Sequence, residues 1–576
     1  MWMRRCLLVA VGLMWGVPSW GGEDVCSNVS SDEKQLYWGD LHVHTAWSLD
    51  AYAFGSIATP ADAYAFAKGQ PLRLANGEQV VIDRPLDFAA VTDHSETFDV
   101  MFLCTDPGYR DDGYCRAMRD LHSRREGRRI FTDYLLPMIT PEVPAPAALC
   151  ADDEVDCAAA SRGQWRRMQE VANQANEPCE FSALIGYEWS ASPGGRHWHR
   201  NVIFRSASVP DQAFDFIRYP NVARLWQALD DHCLPAEGCD ALAIPHNINW
   251  ADGGGFSVSS ESPQTLALRA RFERLAEVHQ EKGSSECLPH DRASAEDDCA
   301  FERLTANFAQ QHVGGGDNDS PEDAWARMRS TYYRTLLGEG LKSLAAEGSE
   351  LNPLKLGAVG STDSHFGTAG RVQEKGYWGS MSMLWQPDEA RISQDGYNPG
   401  GLVAVWAIQN TREAIFDALK RREAFATSGP RISLRFGIAP EGACARPGVQ
   451  FDVPMGGTLN AARAPHFVIM AGRDAAMLGE VQLVKGEVRN GDVVESVHTV
   501  DTYPDGAAAV CVEWRDDKFF SEAPAYWYAR VIEMPTPRWT KHLCEAMGRC
   551  DEFPDADAMV RERAWSSPIW YEPGRD

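Results

Sequence analysis

Short apolar runs in this chain end again and again on a histidine or a carboxylate. Phe88 to Val91 lead into Thr92-Asp93-His94, and Phe181 to Ile185 into Gly186-Tyr187-Glu188. Ala241 to Ile244 lead through Pro245 to His246, and Leu275 and Ala276 precede Glu277-Val278-His279. Leu356 to Val359 precede Gly360-Ser361-Thr362-Asp363-Ser364-His365, and ahead of all of these stands Leu36-Tyr37-Trp38-Gly39-Asp40-Leu41-His42-Val43-His44. Runs of this length, bounded by glycine or polar residues, predict buried strands of a largely parallel sheet. Helical stretches lie between them, at Pro60 to Lys68, Trp165 to Gln174 and Val222 to Leu229. Strand followed by helix, repeated, predicts an α/β architecture. Polar groups gathered at strand C-termini are what a TIM-like barrel offers an active site, with a doubly wound open sheet as the competing fold.

Two stretches interrupt the pattern. Residues 103–178 hold four cysteines close in sequence and many arginines, and residues 280–350 carry Gly314-Gly315-Gly316 and a helical segment from Asp323 to Leu337. Both are read as insertions that shape or cover a binding site. Beyond Ser428-Gly429-Pro430 the texture changes. Ile432 to Phe436, Phe467 to Met470, Val481 to Val484 and Val510 to Trp514 are short strand candidates separated by turns such as Arg489-Asn490-Gly491-Asp492. Residues 431–535 therefore form a small β-rich module, and a tail over 536–576, with Trp539, Trp565 and Trp570, packs back on the body.

The start of the chain reads as an export signal over residues 1–22, with Arg4 and Arg5 before the apolar run Cys6 to Val17. That run is shorter than the roughly 20 residues a spanning helix needs, and no later segment is apolar enough to cross a membrane. The chain is accordingly placed in the periplasm or outside the cell. Its cysteines agree. Of 15, Cys6 lies in the signal and 14 remain, several as near neighbours: Cys104 and Cys115, Cys150 and Cys157, Cys233 and Cys239, Cys287 and Cys299, Cys544 and Cys550. An even count without any Cys-x-x-Cys pair points to disulfides rather than a cysteine zinc site. Spacing alone does not fix the pairing. The formal charge of −27, or −29 once the two signal arginines are removed, disfavours binding of nucleic-acid polymers. It leaves room for a small anionic substrate, because bound metal ions set the local charge.

His42 and His44, two apart on a strand, point to one face. Asp50, Asp93, His94, Glu188, His246, Glu277, Asp363 and His365 add groups of matching chemistry, a mixture suited to manganese, iron or zinc. One such histidine alone would be an ordinary core residue; recurrence at strand end after strand end is the signal.

In order along the chain, Asp40-Leu41-His42-Val43-His44-Thr45, Thr92-Asp93-His94 and Ser361-Thr362-Asp363-Ser364-His365 resemble the signatures of the polymerase and histidinol phosphatase (PHP) superfamily, and Tyr37-Trp38-Gly39-Asp40-Leu41-His42 is similar to its large secreted branch of unknown function. The resemblance spans about Gln35 to Pro430. It implies a distorted seven-stranded (β/α) barrel holding two or three divalent metal ions. By the same resemblance His42 and His44 bind one metal, Asp50 and His94 bind a neighbour, Glu188 bridges, His246 is a later ligand, and Asp363 and His365 form the terminal pair. Of His197 and His199, the resemblance favours His199, which an Arg-Asn pair and an apolar run follow. Asp50 departs from the pattern, standing where many relatives use histidine. Glu277, His279 and Glu286 are not general ligands of the superfamily and are expected to support the ligands or to line the substrate pocket.

The implied chemistry is hydrolysis by metal-activated water. Asp93 or Asp363 is the candidate to orient or deprotonate that water, and Arg200 and Arg371 are candidates to hold a phosphate oxygen. A phosphomonoester or diester is the expected substrate. An amide or lactone hydrolase, or a non-catalytic metal-containing binding protein, are the alternatives.

Overall fold

The computed structural model describes residue 26 and residues 33–121, 127–152, 154–258, 260–289, 299–303, 320–346, 351–380, 384–393, 396–446, 448–460, 462–556 and 558–574. The expected export signal and Gly314-Gly315-Gly316 lie outside them. Most apolar runs form strands: Gln35–Asp40, Phe88–Ala90, Ser182–Trp189, Ala241–Pro245, Leu275–Gln280 and Gly357–Gly360. The predicted helices are Pro60–Ala67, Cys157–Ala175 and Val222–His232. Thr59 caps the first through a reciprocal pair with Asp62, Asp156 caps the second and Asn221 the third, each side chain accepting from a backbone N–H of the first turn. The stretch Asp323 to Leu337 is two helices, Pro321–Arg329 and Tyr333–Ala345.

The strands do not form the expected (β/α)7 barrel. Their ladders build an open mixed sheet of 13 strands and, apart from it, a three-stranded sheet of Gly357–Gly360, Leu275–Gln280 and Gly283–Ser284. Within the large sheet, Gln35–Asp40, Phe88–Ala90 and Ser182–Trp189 run parallel. Arg200–Phe204 then returns antiparallel on Ser182–Trp189, and Ala241–Pro245 antiparallel on Arg200–Phe204. On the other flank Leu402–Ala407 lies antiparallel to Gln35–Asp40, and Ala424–Thr427 antiparallel to Leu402–Ala407. A barrel requires a ladder that closes on itself, and neither sheet closes. An apolar run marks a strand as buried but not its direction. The short link from Trp189 to Arg200 lets the chain double back as a hairpin, where a parallel neighbour would need a crossover of about a dozen residues or more.

The large sheet continues into the C-terminal part of the chain. Ala424–Thr427 pairs with Arg563–Ser566, which pairs with Ala525–Glu533, and this strand in turn carries Leu478–Arg489 and its partner Asp492–Ala507. Ser433–Ile438, His466–Gly472 and Ala509–Arg515 form, with Val453–Pro454, a four-stranded antiparallel sheet. Trp539, Trp565 and Trp570 are buried.

Seven disulfides tie the loops. The five pairs of near neighbours named above are all closed, and Cys26–Cys179 and Cys444–Cys511 join distant segments. Among the described residues no helix is long and apolar enough to cross a membrane.

Candidate metal centre

Gln35–Asp40, Phe88–Ala90, Ser182–Trp189 and Ala241–Pro245 share a direction, so their C-terminal ends open onto one place, where the antiparallel Arg200–Phe204 begins just after His199. After Gln35–Asp40 the chain stays extended: Val43 bridges to Ser364, the His44 N–H donates to the Ser364 carbonyl at 2.8 Å, and the Asp363 N–H to the His42 carbonyl at 2.9 Å. Alternation then sends Leu41 and Val43 into the apolar core and turns His42 and His44 together to the other face. Asp363 has φ +57° and Asn247, just after His246, has φ +52°. This left-handed conformation is uncommon outside glycine and comparatively accessible to Asp and Asn. At both positions it turns the chain sharply beside a functional side chain, as strained residues at binding sites often do.

Glu188 is the centre of the cluster. Its Oε2 lies 3.2 Å from His42 Nε2 and 3.1 Å from His44 Nε2. Asp363 Oδ1 faces the same two nitrogens at 3.1 and 3.4 Å. The other oxygen of Glu188, Oε1, faces His199 Nδ1 at 2.8 Å, His246 Nε2 at 3.3 Å and His94 Nδ1 at 3.4 Å. Asp50 Oδ2 completes a third corner, 3.0 Å from His94 Nε2 and 3.1 Å from His365 Nε2. All nine of these side chains are buried, His94 and His199 being the most open at 6% and 7% exposure.

This donor set fits divalent cations. Two ligands about 2.1 Å from one ion, at octahedral or tetrahedral angles, stand about 3.0–3.4 Å apart, the spacing seen between His42, His44, Glu188 and Asp363. The Nε2 atoms of His42 and His44 face each other at 3.2 Å. Asp363 Oδ1 and both ring nitrogens of His246 are buried without a hydrogen-bond partner among the described residues. Orphaned polar atoms of this kind cost about 1–3 kcal/mol each unless something else binds them. Sets that could hold an ion are His42, His44 and Glu188; Glu188, His199 and His246; His44, His94 and His365; and Glu281, Asp363 and His365. Although burial opposes it, the surrounding histidines hold the Glu188 and Asp363 carboxyls well below their ordinary range, so both remain anionic acceptors.

A surrounding layer of side chains orients these groups. Glu277 lies 3.1 Å from His42 Nδ1, and burial pushes its carboxyl up to about 8. Ser48 meets His44 Nδ1 at 2.9 Å and donates to Asp93 at 2.8 Å. Ser190 contacts His94 and donates to Glu188, and Ser192 reaches His199 Nε2 at 2.7 Å. A ring nitrogen held this way fixes which nitrogen faces the centre.

The sequence-predicted residues divide accordingly. His42, His44, Asp50, His94, Glu188, His199, His246, Asp363 and His365 converge, with Glu277 directly behind His42. His197 stacks on His199 and meets the Asn247 amide instead of Glu188. Asp93 spends both oxygens on Thr45 and Ser48, which places it behind His44. Arg200 is buried against Glu273 at 2.8 Å, and Arg371 lies over the Trp378 ring and donates to the Gly376 carbonyl. His279 packs between Phe301 and Trp565, where burial lowers it to about 3. Glu286 accepts from Arg530, Tyr528 and Trp565. Three residues the sequence reading did not single out matter as well. Lys282 contacts Asp363 and lies 3.5 Å from Glu281. Asp40 accepts from the Thr362 hydroxyl and the Gly370 N–H, pinning the 362–370 loop to the first strand. The only sequence signal for Glu281 and Lys282 was their place directly after a predicted strand.

The family described as "Protein of unknown function (DUF3604)" matches residues 31–505 and 501–573. An uncharacterized protein of Chlamydia pneumoniae is 24% identical over 418 residues, which are 71% of this chain and 49% of that protein. Uncharacterized proteins of Chlamydia trachomatis and Chlamydia muridarum are 27% and 28% identical over 31% of this chain and 24% of theirs. The chain thus spans about half the length of the first of these relatives and about a quarter of the other two. No solved structure matches it.

Proposed function

The chain belongs to the DUF3604 family, whose function is unknown, and we propose that it is a metal-dependent hydrolase acting on phosphoesters. One observation carries the reading: Glu188 turns one oxygen to His42 and His44 and the other to His199 and His246. A carboxylate between two donor sets suits a pair of cations, and a paired site suits the attacking and leaving oxygens of a phosphoryl group. His42, His44, Glu188 and Asp363 would hold one manganese, iron or zinc ion; Glu188, His199 and His246 a second; and His94, His365 and Asp50 a third. Such ions supply Lewis acidity and acidify water.

The protein's own residues do the positioning. Glu277 and Ser48 fix the rings of His42 and His44. Lys282, held against Asp363, places a positive charge at the rim of the centre and suits an anionic substrate. The seven disulfides suit a protein that works outside the cytoplasm, as a periplasmic or secreted enzyme. The test is metal content per chain after purification without chelator, followed by chromogenic phosphomonoesters and diesters set against an anilide and a lactone. Two or three equivalents and turnover of a phosphoester are expected, with both lost in a folded His42→Ala/His44→Ala variant. Turnover of only the anilide or lactone would move the reading to carbonyl substrates, and less than one equivalent after incubation with each metal would overturn it.

A further inference from the structure

At the opposite ends of two strands that feed the metal centre, and of a third packed beside them, lies a second concentration of charge, of the other sign. Arg274 directly precedes Leu275–Gln280, Lys355 lies two residues before Gly357–Gly360, and Arg421 and Arg422 precede Ala424–Thr427. Strands of this length put them about 15–20 Å from the histidine cluster. All four cations line one open cavity of about 410 Å³, together with Glu423 and the turn from Pro454 to Thr458.

Their partners do not balance them. Arg274 donates only to the carbonyls of Lys420 and Ala270. Arg422, 4% exposed, donates through Nε to the carbonyls of Arg274 and Lys355, and its two terminal nitrogens have no hydrogen-bond partner among the described residues. Lys355 pairs with Glu572 at 2.7 Å and Arg421 with Glu423 at 2.9 Å. Lys355 and Arg422 both stand over the Trp570 ring. In a chain of net charge −27, two guanidiniums without a carboxylate are held together by the fold. Burial, then repulsion from Arg274, holds Arg422 well below its ordinary range.

We infer that this cavity binds a small tetrahedral oxyanion, phosphate or sulfate, through Arg274, Lys355 and Arg422. Planar guanidinium forks and an ammonium converging on one space offer the donor geometry such an anion takes. The site is independent of the metal centre and of the reaction proposed for it.

Titration calorimetry tests it on the full chain carrying His42→Ala/His44→Ala, or on wild type stripped of metal, so that phosphate at the metal centre cannot contribute. Inorganic phosphate and sulfate are added separately at constant ionic strength set with chloride. Saturable binding of one equivalent is expected, weakened about tenfold or more by Arg274→Gln. Lys355→Gln, at a partly exposed side chain of the site, is the second variant should Arg274→Gln fail to fold, and a severalfold loss is expected there. Absence of saturable binding, or unchanged affinity in the folded variants, would overturn the inference.

Discussion

Glu286 separates a structural role from a functional one sharply. Its sequence position, seven residues after His279, suggested a place near the substrate, but the fold makes it a strut between distant parts of the chain. Its carboxylate accepts from Tyr528 Oη at 2.5 Å, from Arg530 Nη1 at 3.0 Å and from Trp565 Nε1 at 2.7 Å. Glu286 is 2% exposed and Arg530 is fully buried. Removing one member of a buried pair leaves the other charge uncompensated and costs about 3–5 kcal/mol. Glu286→Ala should therefore destabilise the protein by about that amount, while Glu286→Gln, which keeps an acceptor, should cost less. Against the opposing effect of burial, Arg530 and Arg334 hold the Glu286 carboxyl below its ordinary value of 4.5. A depressed carboxyl contributes stability above its unfolded pKa and loses it as pH falls through the folded one. The wild-type advantage over Glu286→Gln should thus be constant above pH 5, roughly, and shrink in more acid solution. Urea unfolding followed by tryptophan fluorescence, at several pH values and beside metal analysis of the folded variant, gives both readouts. A folded Glu286→Ala variant of near-normal stability that loses metal or activity would refute the strut and return Glu286 to the site.

Two further predictions concern the fold. Cys26–Cys179 closes a loop of 153 residues and Cys233–Cys239 one of 6. On chain entropy alone the first contributes about 5 kcal/mol and the second about 2. Paired Cys→Ser variants should unfold in that order of stability, measured by thermal denaturation without reductant, and equal losses would contradict it. Glu533 is buried with Oε1 unpartnered, and burial, then the charge of Asp474, pushes its carboxyl up to about 8. A raised carboxyl stabilises below its unfolded pKa and loses that contribution as pH rises through the folded one. Glu533→Gln should therefore be more stable than wild type at pH 9 by about 1–3 kcal/mol, and the gain should disappear near pH 5. A gain independent of pH would refute the assignment.

The candidate centre was far more legible in the sequence than the fold that builds it. His42 and His44 could be paired from strand periodicity alone, because alternation fixes which face a side chain takes whatever strand lies beside it. Glu188, His246 and Asp363 were found by the same device, a polar group where an apolar run stops. Strand direction leaves no such mark. Arg200–Phe204 reads as one more apolar run, yet it returns as a hairpin, and Leu402–Ala407 enters the sheet antiparallel, between Gln35–Asp40 and Ala424–Thr427. Partnerships across the chain were equally hidden. Arg200, a candidate phosphate contact, opens the strand directly after His199, and adjacent residues of an extended chain face opposite sides, so His199 meets Glu188 while Arg200 turns away to Glu273. Alternation alone would put His279 on the face of Glu277, two residues earlier; what intervenes is a register shift in the ladder between Val359 and Gly360, opposite Glu277 and His279. Glu277 meets His42, and His279, at the end of that strand just before the Gly283–Ser284 return, is carried onto Phe301 and Trp565. Period-two reasoning applied to the residues beside each ligand thus separates Arg200 from His199, but it fails for His279, where a register shift that leaves no mark in the sequence intervenes.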